Sequence, residues 1–335
     1  MCPDGLLQET DCVLAESWIS NDGQAVLKNL GFGQFDGLYT PYNNYLSDWG
    51  DRPLIRALLP YPQFRMIGNS FDTTGADKYD AVQVSLQKRT GSGLTLLVAY
   101  TLSKTIANTD SAVSSSNVRG LNQFNPAGEW SVARDDRTHV FNISQVYELP
   151  IGPGKKIFNQ GGTLMKNILG GWEFSGYYTY ISGTPVPIIV NGRPLFNTFN
   201  RANIMPGSFD VKWDNYYKGL PVFNIKKFQF PGAWRVGNAA PFYSGFRNPF
   251  ESSETLAVGK KFFLGEKVNA ELRAEFDNVL NRMRVCGADH MDNDPYHVSG
   301  LDPNNTDFNF GIVSAGAVCQ GNTPRRGQAV LRITF

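Results

Sequence analysis

"VNAELRAEFDNVLNR", residues 268–282, alternates with a period of two. In an extended chain Val268, Ala270, Leu272, Ala274 and Phe276 line one face, and Asn269, Glu271, Arg273, Glu275 and Asp277 line the other. A strand this two-faced has two natural homes. In a soluble sandwich the apolar face meets a second sheet; in an outer-membrane barrel it meets lipid, and the charged face borders a wet lumen.

Six further segments alternate in the same way. "DAVQVSL" and "LTLLVAYTLS" flank the tight turn "KRTGSG" and read as a hairpin. "THVFNISQVYEL" ends at "PIGPGKK", and "GWEFSGYYTYIS", "TLAVGKKFF" and "GQAVLRITF" complete the set. Lys260 interrupts the apolar face of "TLAVGKKFF", which calls for either a snorkelling stem or a bulge that shifts the register.

The links between segments alternate between short and long: 87–93, 106–137, 150–170, 183–251, 264–267 and 283–324. Compact soluble domains join their elements through about 4 to 6 residues, whereas bacterial outer-membrane barrels have short periplasmic turns and longer extracellular loops. On that topology the last strand runs inward and places Phe335 at the periplasmic rim, with Leu331 and Ile333 on the same face. Trp172 falls at that rim, and Tyr100 and Tyr180 fall towards the outer end, where aromatic belts are expected.

Composition agrees. Charged residues make up 18% and the formal net charge is +1, so there is no basic footprint for nucleic acid. The 34 Gly, 19 Pro, 23 Phe and 14 Tyr suit strands and turns better than long helices. No run approaches the roughly 18 apolar residues of a membrane helix, a test that barrel strands escape. Residues 1–77, with little alternation, read as an extracellular-loop-like segment leading into the strands of 78–335. The N-terminus lacks the pattern of a secretory signal, so an exported protein is expected to extend beyond this beginning.

Candidate sites are few. Glu271, Arg273, Glu275 and Asp277 form a row that Arg332 on the neighbouring strand can join through Glu271 or Glu275; a hydrated wall ladder is preferred to a ligand or plug contact. The carboxylates repeat in a straight line without a histidine or nucleophile, so no enzyme activity is expected. The loop "CGADHMDNDPYHVSGLDPNNTDFNF" gathers Asp289, Asp292 and Asp294 as weak metal ligands, but it lacks the glycine and later glutamate of an EF-hand. Cys2 with Cys12, and Cys286 with Cys319, are expected disulfides of an oxidising compartment. "GPGKK" lacks the spacer and hydroxyl residue of a phosphate loop and reads as a turn, and His139 in "RDDRTH" reads as a loop anchor. Trp213, Tyr216, Tyr217 and Trp234 either pack the long loop on itself or stack on a sugar, the first being preferred.

Taken in order, "LIRALLPYPQF", "KYDAVQVSLQKRTGSGLTLLVAYTLSKTI", "RDDRTHVFNISQVYELPIGPGKK", "ILGGWEFSGYYTYISGTPV", "VGNAAPFYSGFRNPF", "FFLGEKVNAELRAEFDNVLNR" and "LRITF" resemble the C-terminal half of the barrel of Oar-like TonB-dependent outer-membrane receptors of the type common in acidobacteria. The resemblance implies a barrel of about 22 strands around a plug, placed in lipid by the barrel-assembly machinery, energised through TonB and binding an extracellular ligand. No plug, TonB box or carboxypeptidase-regulatory-like domain is found here, so the chain is expected to be a fragment. The expected fold is an all-β, antiparallel, up-and-down meander of about seven or eight strands with long extracellular loops, an incomplete barrel of the Gram-negative outer membrane with no cofactor. The alternative is a secreted, soluble β-sandwich that binds carbohydrate; a hydrolase stands third.

Overall fold

A computed structural model of the chain describes residues 73–109, 125–152, 155–158, 167–187, 189–190, 200–229, 231–232, 234–264, 268–282 and 324–335, with positions 21, 25, 55, 64 and 122 standing alone. Its strands are β1 (Asp77–Arg89), β2 (Leu94–Ala107), β3 (Ser131–Val132), β4 (His139–Glu148), β5 (Trp172–Ile181), β6 (Ile189–Val190), β7 (Asn200–Arg201), β8 (Asn203–Ile204), β9 (Phe228–Gln229), β10 (Glu251–Phe263), β11 (Asn269–Asp277) and β12 (Arg326–Thr334). The main sheet runs β1-β2-β4-β5-β10-β11-β12, and the short β3 pairs with the end of β2. Each neighbouring pair is antiparallel, so the sheet is a meander in chain order. The long strands span 9 to 14 residues, matching or slightly exceeding the roughly 9 to 11 needed to cross a bilayer at a tilt. All seven segments singled out by period two are strands of this sheet.

Two glycines make the short turns possible. Gly93 adopts φ 92° in the β1–β2 turn, where a Cβ would stand 2.7 Å from the Glu148 carbonyl oxygen. Gly171 adopts φ 76° before β5, where a Cβ would stand 2.5 Å from the Lys261 carbonyl oxygen. An L side chain meets both a conformational and a steric penalty at these positions.

The register shows how the sheet would lie in a membrane. One transverse line of partners crosses all seven strands: Lys88, Leu96, Gln145, Gly176, Leu256, Phe276 and Gly327. On β1 the apolar residues of this face, Val82, Val84 and Leu86, lie wholly on the long-loop side of the line. On β5 they straddle it, from Trp172 to Tyr180, and on β12 Ala329, Leu331 and Ile333 lie wholly on the short-turn side. The apolar band therefore slides by about 8 residues over six strand spacings. At about 3.3 Å per residue and 4.8 Å per spacing, it slants at roughly 40° to the ladder. That is the tilt of barrel strands.

The slant accounts for charges that otherwise look misplaced. Lys88 lies below the band on β1, and Glu254 lies above it on β10. Lys260 alone falls within the band, near its short-turn edge. Its ladder partners Trp172 and Leu272 continue the register without a break, so the bulge is excluded and the snorkel holds. Lys260 Nζ donates to the carbonyls of Ile168, at 3.2 Å, and Gly170, and lies 5.0 Å from the Trp172 ring centroid.

No second sheet covers the apolar face among the described residues. Leu272, Leu331 and Ile333 remain 45%, 64% and 56% exposed. In water, each large apolar side chain left uncovered forgoes about 1.5–3 kcal/mol of burial. The buried cluster lies elsewhere: Val186, Ala202, Val222, Phe223, Phe228, Ala239 and Phe246 all belong to the long link between β5 and β10. That link is a folded module with its own small core. β6 pairs with β7 and β8 with β9, while Phe209 packs 5.9 Å from Phe246 and 5.2 Å from Tyr243, centroid to centroid.

Candidate functional site: a charged wall beneath a latched loop module

Opposite the apolar face the ladder creates a polar wall. Its charges collect on β11 and β12, where the alternation of 268–282 placed them. Glu271 has Lys261 of β10 on one side and Arg332 of β12 on the other. The register thus sets Arg332 against Glu271, whereas Glu275 accepts from Gln328 and pairs with Arg273 at 2.7 Å. Asp277 accepts from the Thr255 hydroxyl at 2.9 Å and lies opposite Arg326. Lys261 also reaches Glu173 on β5 at 3.5 Å.

Every acid of the row thus has a cationic or donor neighbour, which is how a hydrated wall holds its register. Towards β1 the middle of the wall is uncharged, with Asp77, Arg89 and Glu148 only at its ends. Gln83, Ser85 and Gln87 on β1 share this face with Asn142 and Ser144 on β4 and with Tyr177 and Thr179 on β5. The Tyr177 and Thr179 hydroxyls both donate to Asn142 Oδ1, at 3.4 and 2.9 Å.

At the long-loop end the sequence reading missed a set of ion pairs. Asp136, in "RDDRTH", has a fully buried side chain that meets Arg247 of "FRNPF" at 2.6 Å. The same carboxylate accepts from the backbone N–H of Thr105, at 2.5 Å, and from the Thr138 hydroxyl. Arg247 also donates to the carbonyls of Asp136, Gly183 and Ser244. Beside it Arg137 pairs with Glu251 at 2.6 Å and donates to the Ser182 carbonyl. Glu129 and Arg201, both buried, form a third pair. All three fasten the segment between β2 and β4 to the loop module or to the strand end beside it. For Asp136, Arg137 and Arg247 the sequence signal was charge next to strand ends, within two of the blocks that carry the family resemblance; Glu129, Arg201 and Glu251 lie outside those blocks.

His139 opens β4 and is held by the Tyr100 hydroxyl, 2.8 Å from Nδ1, as a loop anchor should be. Around "GPGKK" the Gly152 N–H donates to the Ile157 carbonyl and Lys155 pairs with Glu148 at 2.9 Å. Lys155 is thus committed to a carboxylate, in keeping with a turn rather than a phosphate loop. Trp213 packs against the module core and donates to the Arg247 carbonyl at 3.0 Å, and Trp234 is buried, in keeping with self-packing. The side chains of Tyr216 and Tyr217, the four cysteines, and the acidic loop with Asp289, Asp292 and Asp294 lie outside the described residues. Among the described residues no three His, Cys, Asp or Glu side chains gather as a metal site.

Burial raises the pKa of Tyr243 in the loop module above its usual value, more than the Ala240 N–H bonded to its oxygen and nearby Arg201 lower it. This is a packing effect and carries no chemistry.

Comparison with known proteins agrees with the geometry. The family described as "Outer membrane beta barrel domain" matches residues 29–326, most of the chain. No curated protein and no solved structure matches it. A seven-strand meander with a slanted apolar band that no second sheet covers among the described residues, and a polar wall opposite, is what such a domain requires, and the soluble sandwich loses its basis. The chain belongs to the outer membrane beta barrel domain family, and its place is the cell outer membrane.

Proposed function

We propose that this chain forms the C-terminal wall of a TonB-dependent receptor of the Oar-like type, which binds an extracellular ligand and moves it across the outer membrane when its barrel is complete. The carrying observation is an apolar face that no second sheet covers among the described residues, with a polar wall behind it and a folded, latched module at the long-loop end. A wall needs closure, since unpaired backbone groups at β1 and β12 cost several kcal/mol each in hydrocarbon.

The parity of the sheet supports a larger barrel. With an odd number of strands in the meander, β1 and β12 run in the same direction. Antiparallel closure therefore needs an odd number of further strands, and a barrel of about 22 strands satisfies that count. Plug, TonB system and assembly machinery are the partners this reading implies. The mutual neutralisation of the acid row favours a non-enzymatic role.

Uptake of iron-siderophore, corrinoid and oligosaccharide probes, measured in the source cell, tests the reading. Loss of this gene and loss of TonB are expected to abolish uptake of the same probe. Uptake that depends on the gene but continues without TonB would rule out the receptor in favour of a passive channel.

A further inference from the structure

Above the apolar band, on the lipid-facing side at the long-loop end, the register sets three basic groups on a diagonal across three strands. Lys104 of β2 is the cross-strand partner of Asp80, which places it diagonal to Lys78 on β1. Leu102 is the partner of His139 on β4, which places Lys104 diagonal to His139 as well. Diagonal neighbours on one face stand about 7–8 Å apart, within reach of one phosphate for side chains this long.

We infer that this stripe binds a phosphate of the glycolipid headgroup in the outer leaflet, with Lys104 as its centre. The inference rests on the long-loop end facing outward.

The first support is the distribution of charge. Lys104 is exposed, and no carboxylate lies within ion-pair distance of it among the described residues. Arg282, beside Glu254 of the apolar face, is already neutralised by it at 3.1 Å, so among these described cations the unpaired positive charge is on β2. Asp80 offsets part of it through Lys78 at 2.9 Å, but both side chains are well exposed, and such pairs are weak and exchangeable. A phosphate monoester, with up to two charges and three acceptor oxygens, is a stronger partner for Lys104 than water.

The second support is continuity. Directly below the stripe, Tyr100, Phe141 and Tyr180 form one row of the lipid-facing band, with Tyr100 and Phe141 edge to face at 6.3 Å. Tyr100 also fixes His139: when its hydroxyl donates to Nδ1, the imidazole proton sits on Nε2, a donor that remains available to an anion. Aromatic rings at acyl depth with cations one step further out match the layering of a phosphorylated lipid surface. Lys88 provides the contrast, a single lysine below the band at the opposite rim.

The test uses the closed barrel that contains this chain, extracted from outer membranes of the source cell in mild detergent, with heat-modifiable migration on a gel confirming that each variant is folded. Labelled diphosphoryl lipid A and the same lipid stripped of its phosphates are the probes. The phosphorylated form should bind the wild-type chain more tightly, and Lys104→Gln should lose about tenfold of that preference, with Lys104→Arg retaining it and Lys88→Gln unchanged. Equal binding of the two lipids, full affinity in Lys104→Gln, or displacement of the lipid by an equal concentration of inorganic phosphate would each overturn the inference. A wild-type chain that needs no detergent and migrates the same heated or unheated would instead overturn the membrane reading.

Discussion

At the scale of single residues the most consequential group is Asp136. Its carboxylate has no exposed surface, and it serves Arg247, a backbone amide of β2 and a hydroxyl at once. Removing one partner of a buried pair strands the other, at a cost of about 3–5 kcal/mol. Asp136→Ala should therefore release the loop module from the sheet, seen as new cleavage within 183–250 by an external protease at a concentration that leaves the native protein intact. An unchanged digestion pattern would show that the other two pairs suffice. Lys260→Met is a milder case, because it removes a charge from the apolar band but also the donors that hold Ile168 and Gly170. Insertion into lipid should be undiminished, while proteolysis from the periplasmic side near 167–170 should quicken. Slower insertion would contradict the placing of Lys260 in the lipid-facing band.

At the scale of elements, period two located all seven strands and told their faces apart, because each strand's alternation is a local pattern. The loop module was legible only as a long link. Its core joins Val186, Ala202, Phe223 and Phe246, which are far apart in sequence and fall in no repeating pattern. The same holds for Glu129 with Arg201, and for Asp136 with Arg247, whose partners are brought together by the meander. Lys260 was ambiguous between snorkel and bulge until the register was known. Phe228→Ala in the module core should cost about 3–5 kcal/mol locally. The loop should then become protease-sensitive while heat-modifiable migration of the barrel is retained; losing both would mean that module and sheet fold as one unit.

The raised pKa of Tyr243 gives the module a pH dependence. A hydroxyl kept neutral by burial stabilises fully below the unfolded-state value, near 10, and that contribution is lost as pH rises through the higher folded value. Protease sensitivity of 183–250 should therefore rise on the alkaline side of that window in the wild type and less steeply in Tyr243→Phe. Identical profiles would remove Tyr243 as the cause.

At the scale of the whole molecule, one physical statement organises the rest. A sheet whose apolar face no second sheet covers among the described residues is a membrane sheet, and the slanted band shows how its strands tilt through lipid. The row of charges in 268–282 is neutralised by its neighbours on the face opposite the apolar band, as a wall ladder rather than a ligand site would be. The most direct test replaces the four cysteines by serine and introduces single cysteines on the two faces, in outer membranes labelled with a membrane-impermeant maleimide. Ser175→Cys and Gln328→Cys should be labelled when the lumen is opened to the reagent. Leu272→Cys and Leu331→Cys should be reached only by a reagent dissolved in the lipid. Labelling of Leu272→Cys by the impermeant reagent as fast as Ser175→Cys would contradict the account.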